Sequence, residues 1–290
     1  MISEATTFVA FGPDHLEAAT RLSQQAGWPH RLQDWQMALA LSEGCVAVAP
    51  GPRVIGTALM TPYGRDTATI NMVIVDARER GRGLGRRLMQ QVLTLADDRR
   101  LQLVATEEGL PLYETLGFCR IGRIVQHQGH LGTALSPSDG VRAATAGDIA
   151  AIAALDAAAF GADRSNLIAH LAAIGEFTVL ERDGPIAGFA ASRRFGCGLV
   201  IGPVVASGLE DAQALVAHCL AANEGEFVRL DTGTESGLGP WLAGLGLPCV
   251  GGGVLMVRPS VTTSSGATSS VTTQSRHSPS SFTLASQAFG

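Results

Sequence analysis

Residues 78–87 read Arg-Glu-Arg-Gly-Arg-Gly-Leu-Gly-Arg-Arg, three glycines set among five arginines. They follow an alternating apolar run, residues 69–75, and precede apolar residues at helical spacing, Leu84, Leu88, Met89, Val92 and Leu93. The pattern predicts a strand, a bare glycine turn and a helix. The first turn of a helix leaves backbone N–H groups unpaired and carries the positive end of the macrodipole, so such a turn can wrap a pyrophosphate. The class of ligand is narrowed by what is missing. A nucleoside-triphosphate loop ends in Gly-Lys-Ser/Thr, which is absent, and a dinucleotide fingerprint needs a third glycine where Arg86 stands. A second motif, Leu112-Tyr113-Glu114-Thr115-Leu116-Gly117-Phe118, follows an apolar strand pattern at residues 101–105. Taken alone it reads as a packed helix with Gly117 as its C-cap.

Together, Arg80-Gly81-Arg82-Gly83-Leu84-Gly85 and residues 112–118 resemble the Gln/Arg-x-x-Gly-x-Gly/Ala loop and the later tyrosine motif of the GNAT superfamily, the acetyl-coenzyme-A-dependent N-acetyltransferases. The resemblance implies an α/β fold with a mixed sheet flanked by helices and acetyl-CoA as co-substrate; with no clustered cysteine or histidine ligands in the sequence, no metal is expected. It implies that the backbone of Val73, Ile74 and Val75 pairs with the pantetheine arm. The amides of Arg80, Gly81, Arg82, Gly83, Leu84, Gly85 and Arg86 would then hold the pyrophosphate, with Arg82, Arg86 and Arg87 adding charge. Tyr113 is assigned the general-acid role, and an ordinary phenol is protonated at neutral pH. The usual glutamate base has no counterpart, because Asn71 and Val104 stand at the strand positions where it is expected. His30, Asp34, Glu107 and Glu108 remain candidates, as does a chain of water. The acceptor region implied by the resemblance is the connection after the first helix, where Trp28, His30, Arg31 and Asp34 cluster. The expected reaction is acetyl transfer to a primary amine on a small molecule. The alternative is an acyl-CoA-binding sensor or scaffold without turnover.

The unit is written twice. Residues 1–133 form the first GNAT-like domain, 134–140 a linker, and 141–258 a degenerate second copy. In each, a helix-start signal leads to a helix, a turn and a hairpin: residues 45–49 with 54–59 in the first copy, 177–180 with 186–190 in the second. The second copy keeps neither the glycine loop nor the tyrosine. After Val205 it reads Ala-Ser-Gly-Leu-Glu-Asp, and aligning Gly246 with Gly117 places Leu242 opposite Tyr113. It is therefore expected to shape the acceptor site or a homodimer. Residues 259–290 are Ser/Thr-rich and are expected to be a disordered tail.

With 290 residues, 46% hydrophobic residues and a net charge of −5, the chain is expected to fold as soluble domains with no field that draws nucleic acid or a membrane. All 21 basic residues are arginine. The five scattered cysteines form no Cys-x-x-Cys pair and read as buried thiols of a reducing, cytoplasmic compartment. No signal core or membrane span stands out in the sequence.

Overall fold

The computed structural model describes residues 6–51, 53–131, 138–260 and 278–290, and the chain divides into two compact units. One ends at Arg120 and takes in the strand residues from Met256. The other begins at Ile121, runs to Leu255 and includes the C-terminal residues 278–290.

The first unit opens with β1 (Thr7–Ala10), α1 (Leu16–Gln25) and α2 (Leu32–Leu41), followed by the antiparallel strands β2 (Glu43–Ala49), β3 (Arg53–Tyr63) and β4 (Thr67–Val75). Then come α3 (Leu84–Ala96), β5 (Arg100–Ala105) and the short α4 (Leu110–Thr115). Of the apolar stripe foreseen on α3, Leu84, Leu88, Met89 and Val92 are buried and Leu93 is half-buried; with Ala96, the helix packs against β2, β3 and β4. Full burial of each large side chain stabilises the unit by about 1.5–3 kcal/mol. α1 buries Ala19 and Leu22, and α2 buries Trp35, whose Nε1 donates to Ser23 Oγ at 3.1 Å.

One irregularity in β4 sets the geometry of the site. The β3–β4 register shifts between Thr57 and Leu59, and Met72 takes φ of 50°. This is a bulge, which bends a strand and increases its twist. β4 is parallel to β5 over Thr67–Arg100, Ala68–Leu101 and Thr69–Gln102, and the ladder goes no further. From Thr69 onward the two strands part, leaving an opening beside Val73, Ile74 and Val75. The second sequence repeat closes with β12 (Cys249–Arg258).

The second unit repeats the plan with β6 (Cys119–His130), β7 (Val141–Ala143), α5 (Ile149–Phe160), α6 (Ser165–Ile174), β8 (Gly175–Glu181), β9 (Ile186–Phe195), β10 (Gly198–Ala206), α7 (Leu209–Ala222), β11 (Phe227–Gly233), α8 (Leu238–Gly244) and β12. Its strand order is β12-β6-β11-β13-β10-β9-β8-β7, with β13 spanning Ser280–Thr283. β6 lies antiparallel to β11 from Phe227–His130 to Gly233–Ile124. The last strand of the first sequence repeat thus belongs to the sheet of the second unit, while residues of β12 from Met256 count with the first. The expected boundaries, 1–133 and 141–258, rest on the sequence repeat, whereas the compact units divide between Arg120 and Ile121. Strand pairing, which crosses repeat boundaries freely, leaves no mark in the spacing of apolar residues.

The C-terminal residues correct the expectation of a disordered tail. Residues 261–277, like most of the expected linker 134–140, lie outside the described residues. Residues 278–290 are ordered, with Thr283, Ala285, Ser286 and Phe289 buried. Few apolar residues suffice because the backbone of the segment is satisfied by strands on both sides.

Candidate active site

Where β4 and β5 part, a cleft of about 820 Å³ is lined by Val73, Ile74, Val75, Glu79, Arg80, Gly81, Gly83, Leu84, Gly85, Arg86, Trp28, Thr106, Glu107, Glu108, Gly109, Leu112 and Tyr113. That volume lies within the roughly 300–1,000 Å³ of small-molecule sites. Arg82, the remaining residue of the expected set, lies in the same loop, exposed and ion-paired with Glu79 at 2.9 Å.

The loop is built by left-handed turns. Gly81 and Gly83 take φ of 74° and 78°, a region costly for residues with a Cβ, and a Cβ on either would meet nothing within 4 Å. Glycine is therefore required there by backbone conformation, and the space above the loop is open. Gly83 is the N-cap of α3, so the amides of the following residues face the opening with no protein cap from this side chain. Arg53 braces the loop from β3, reaching Asp76 at 2.7 Å and Glu79 at 2.8 Å. Asp76 also caps the turn by accepting from the Arg78 amide at 2.9 Å. Arg80 reaches Glu108 at 3.1 Å and Arg86 donates to Thr115 Oγ1 at 2.8 Å, both exposed. Such exposed pairs hold their partners weakly, by about 0–1 kcal/mol, so these arginines can exchange them for a phosphate.

Tyr113 sits on α4 with its ring edge-to-face against Phe118 at 5.9 Å. The helix closes through the left-handed Gly117, with the Phe118 amide donating to the Tyr113 carbonyl at 3.1 Å. Burial pushes the Tyr113 hydroxyl up to about 12, because a phenolate loses its hydration there. The phenol thus holds its proton well into the alkaline range.

Of the four residues expected at the acceptor, Trp28 lines the cleft. His30 packs edge-on between Trp28, at 5.7 Å, and Trp35, at 6.3 Å. Arg31 and Asp34 engage each other instead. Asp34 accepts from the Arg31 amide at 2.8 Å and from its guanidinium at 2.8 and 3.2 Å. Together they cap the start of α2. Asp34 is buried in that pair and is not a cleft carboxylate, whereas Glu107 and Glu108 are exposed at its rim. Gly109, on the turn into α4, and Arg53 also belong to the site region, and neither carries a motif signal in the sequence. Three of the five cysteines expected to be buried, Cys119, Cys197 and Cys249, are exposed, while Cys45 and Cys219 are buried.

The second unit keeps the scaffold and loses this site. β10, like β4, has nine residues and a register irregularity, here between Ile201 and Val204. α8 ends as α4 does, with Gly246 at φ 87° and the Leu247 amide donating to the Leu242 carbonyl at 3.0 Å. Leu242, fully buried, stands where Tyr113 stands. Only Ser207 and Gly208 separate β10 from α7, too short for a phosphate-wrapping turn. The first turn of α7 carries Glu210 and Asp211, and Asp211 holds Arg182 at 2.6 Å.

The fold and the cleft define a GNAT-type acetyltransferase. The family models "Acetyltransferase (GNAT) family" and "Acetyltransferase (GNAT) domain" match residues 11–118 and 152–268. Among curated proteins, the uncharacterised N-acetyltransferase YitH of Bacillus subtilis (strain 168) is 30% identical over 229 residues, 77% of this chain and 80% of its own length. The chain belongs to the GNAT acetyltransferase family and is a tandem member and an acyltransferase. Solved structures carry the same fold. One from Pyrococcus horikoshii superposes with a TM-score of 0.80 at 16% identity, covering 100% of this chain and 98% of that one. A tandem GNAT protein of the clavulanic acid biosynthesis pathway gives 0.61 at 16% identity, covering 87% and 98%. The GNAT family uses acetyl-CoA as co-substrate. No helix among the described residues is long and apolar enough to cross a membrane.

Proposed function

We propose that the first unit transfers an acetyl group from acetyl-CoA to a primary amine on a small molecule. The observation that carries this reading is the parting of β4 from β5 beside an open, left-handed glycine loop, with Tyr113 on the same cleft wall. An amide-bearing arm suits the opened backbone of Val73, Ile74 and Val75, since strand edges recognise extended chains by main-chain hydrogen bonds. A pyrophosphate suits the amides of residues 81–86 and the positive end of α3.

In the reaction the carbon–sulfur bond of the thioester breaks and a carbon–nitrogen bond forms. A strand amide from Val73–Val75 donates to the carbonyl oxygen as charge gathers on it. Tyr113 gives its proton to the departing sulfur. Because a thiol has a pKa near ~8.5, the thiolate leaves without full protonation, and the tyrosine assists the step rather than enabling it. The proton lost by the amine passes to Glu107 or Glu108 at the rim, directly or through water. Glu79 also lines the cleft but is engaged by Arg53 and Arg82. The indole of Trp28 gives the acceptor an apolar face against which a ring or alkyl ammonium can pack.

The test is release of free thiol from acetyl-CoA across a panel of small amines, repeated with Tyr113→Phe. Amine-dependent release, reduced in the variant, is expected. Tight acetyl-CoA binding with no release for any amine would leave the sensor reading in its place.

A further inference from the structure

The opening between β10 and β11 in the second unit is filled by the chain itself. These strands are parallel only at Leu199–Val228 and Val200–Arg229 and then part, as β4 and β5 do. β13 enters the gap and pairs antiparallel with Val204, Val205 and Ala206 on one side and with Thr232 on the other. Counting along the two nine-residue strands, Val204, Val205 and Ala206 correspond to Val73, Ile74 and Val75. The tail therefore occupies, in the second unit, the backbone edge that the first unit leaves open.

The groove around the tail carries charged groups aimed at a peptide. Arg164, 1% exposed, donates to the Phe289 carbonyl at 3.2 Å while held by Asp156. Arg193, also buried, reaches the Ala285 carbonyl at 3.4 Å. Asp231, fully buried and ion-paired with Arg229 at 2.9 Å, also accepts from Gln287 Nε2 at 2.9 Å, and its backbone carbonyl accepts from the Leu284 amide at 2.8 Å. Thr232 donates to the Phe282 carbonyl at 2.6 Å. At Gly202 the tail passes so close that a Cβ there would collide with the Leu284 carbonyl oxygen. Asp156 balances the charge of Arg164 and Arg229 that of Asp231, and the hydrogen-bonding capacity left over on Arg164, Arg193 and Asp231 is directed at one strand, which suits a ligand rich in carbonyls and amides.

We propose that the β10–β11 opening is a peptide-binding site on a degenerate acetyltransferase scaffold, with residues 278–290 as its resident ligand. Recognition is by strand addition, with Phe289 as the apolar anchor, buried to 3% exposure. The site does not depend on which donor the first unit uses.

The experiment keeps the full chain. A protease cleavage sequence placed between residues 260 and 278 lets the protein fold before the tail is severed. The severed tail is expected to co-elute with the rest of the chain. Excess fluorescent peptide with the sequence of residues 278–290 should then exchange into the nicked protein saturably, one per chain. A peptide with Phe289→Ala should bind at least about tenfold more weakly, since a buried aromatic ring is lost. Loss of the tail on cleavage without any change in thermal unfolding would overturn the proposal, because the groove would then not hold it. Retention with no exchange, or equal binding of both peptides, would overturn it equally, the first marking an integral strand and the second a nonspecific surface. No acetyl-CoA is present, so failure here leaves the donor reading untouched, and the reverse holds.

Discussion

The two units solve the same backbone problem with opposite results. Each has an irregular nine-residue strand that parts from a parallel neighbour. In the first, residues 76–83 intervene before the helix and no described residue fills the opening; in the second, two residues intervene and the chain's own tail fills the gap. The parting of strands is thus a property of the fold, while the ligand is decided by the loop that follows and by what competes for the exposed edge. The connection between the first two helices differs similarly. In the first unit the pair is half open, with Asp34 buried but Arg31 33% exposed; in the second, both Arg164 and Asp156 lie in the interior.

The largest effect should come from that second pair. Asp156→Ala strands a buried guanidinium and should lower stability by about 3–5 kcal/mol, against about 1 kcal/mol for Asp34→Ala, which loses a helix cap and a partly solvated pair. Chemical denaturation of both variants measures the difference, and equal losses would break the comparison. Next, Gly83→Asp puts a carboxylate and a strained left-handed residue on the loop of the first unit. Acetyl-CoA affinity by calorimetry should fall about 100-fold, by charge repulsion at the pyrophosphate. The unaltered chain should bind one acetyl-CoA, and a stoichiometry of two would show that the second opening still accepts it.

Tyr113→Phe should lower turnover about 10–100-fold with little change in the KM for acetyl-CoA, as expected for a lost general acid. The sign of the pH effect follows from burial: a hydroxyl raised to about 12 keeps its proton where an exposed phenol has lost it. The tyrosine-dependent part of the rate should therefore persist past about pH 10, the pKa of an ordinary phenol. An alkaline decline below that point, absent from the phenylalanine variant, would count against the assignment. The smallest contrast is expected between the buried thiols. Burial pushes Cys45 of the first unit and Cys219 of the second up to about 11, so a disulfide reagent should modify Cys119, Cys197 and Cys249 first and these two together, late. Early reaction at Cys219 alone would report that the second unit opens more readily.

By itself the sequence determined the elements and the family. Strand period, glycine turn and helical spacing are local signals, so the β4–loop–α3 unit, the Tyr113 helix and the repeat were all legible in it. So was the loss of the loop after Val205, because a missing glycine turn is also local. Tertiary structure alone decided three things. It turned Asp34 from a candidate base into a helix cap. It counted β6 from Ile121 onward with the second unit and β12 from Met256 onward with the first. It placed residues 278–290, read as too polar to order, in a groove where backbone pairing and the buried charges of Arg164, Arg193 and Asp231 satisfy them. The physical reason is common to all three: each depends on hydrogen bonds that a tertiary arrangement must bring together, and composition and spacing record only what a segment can bury, not which backbone edge is left unpaired for it to meet.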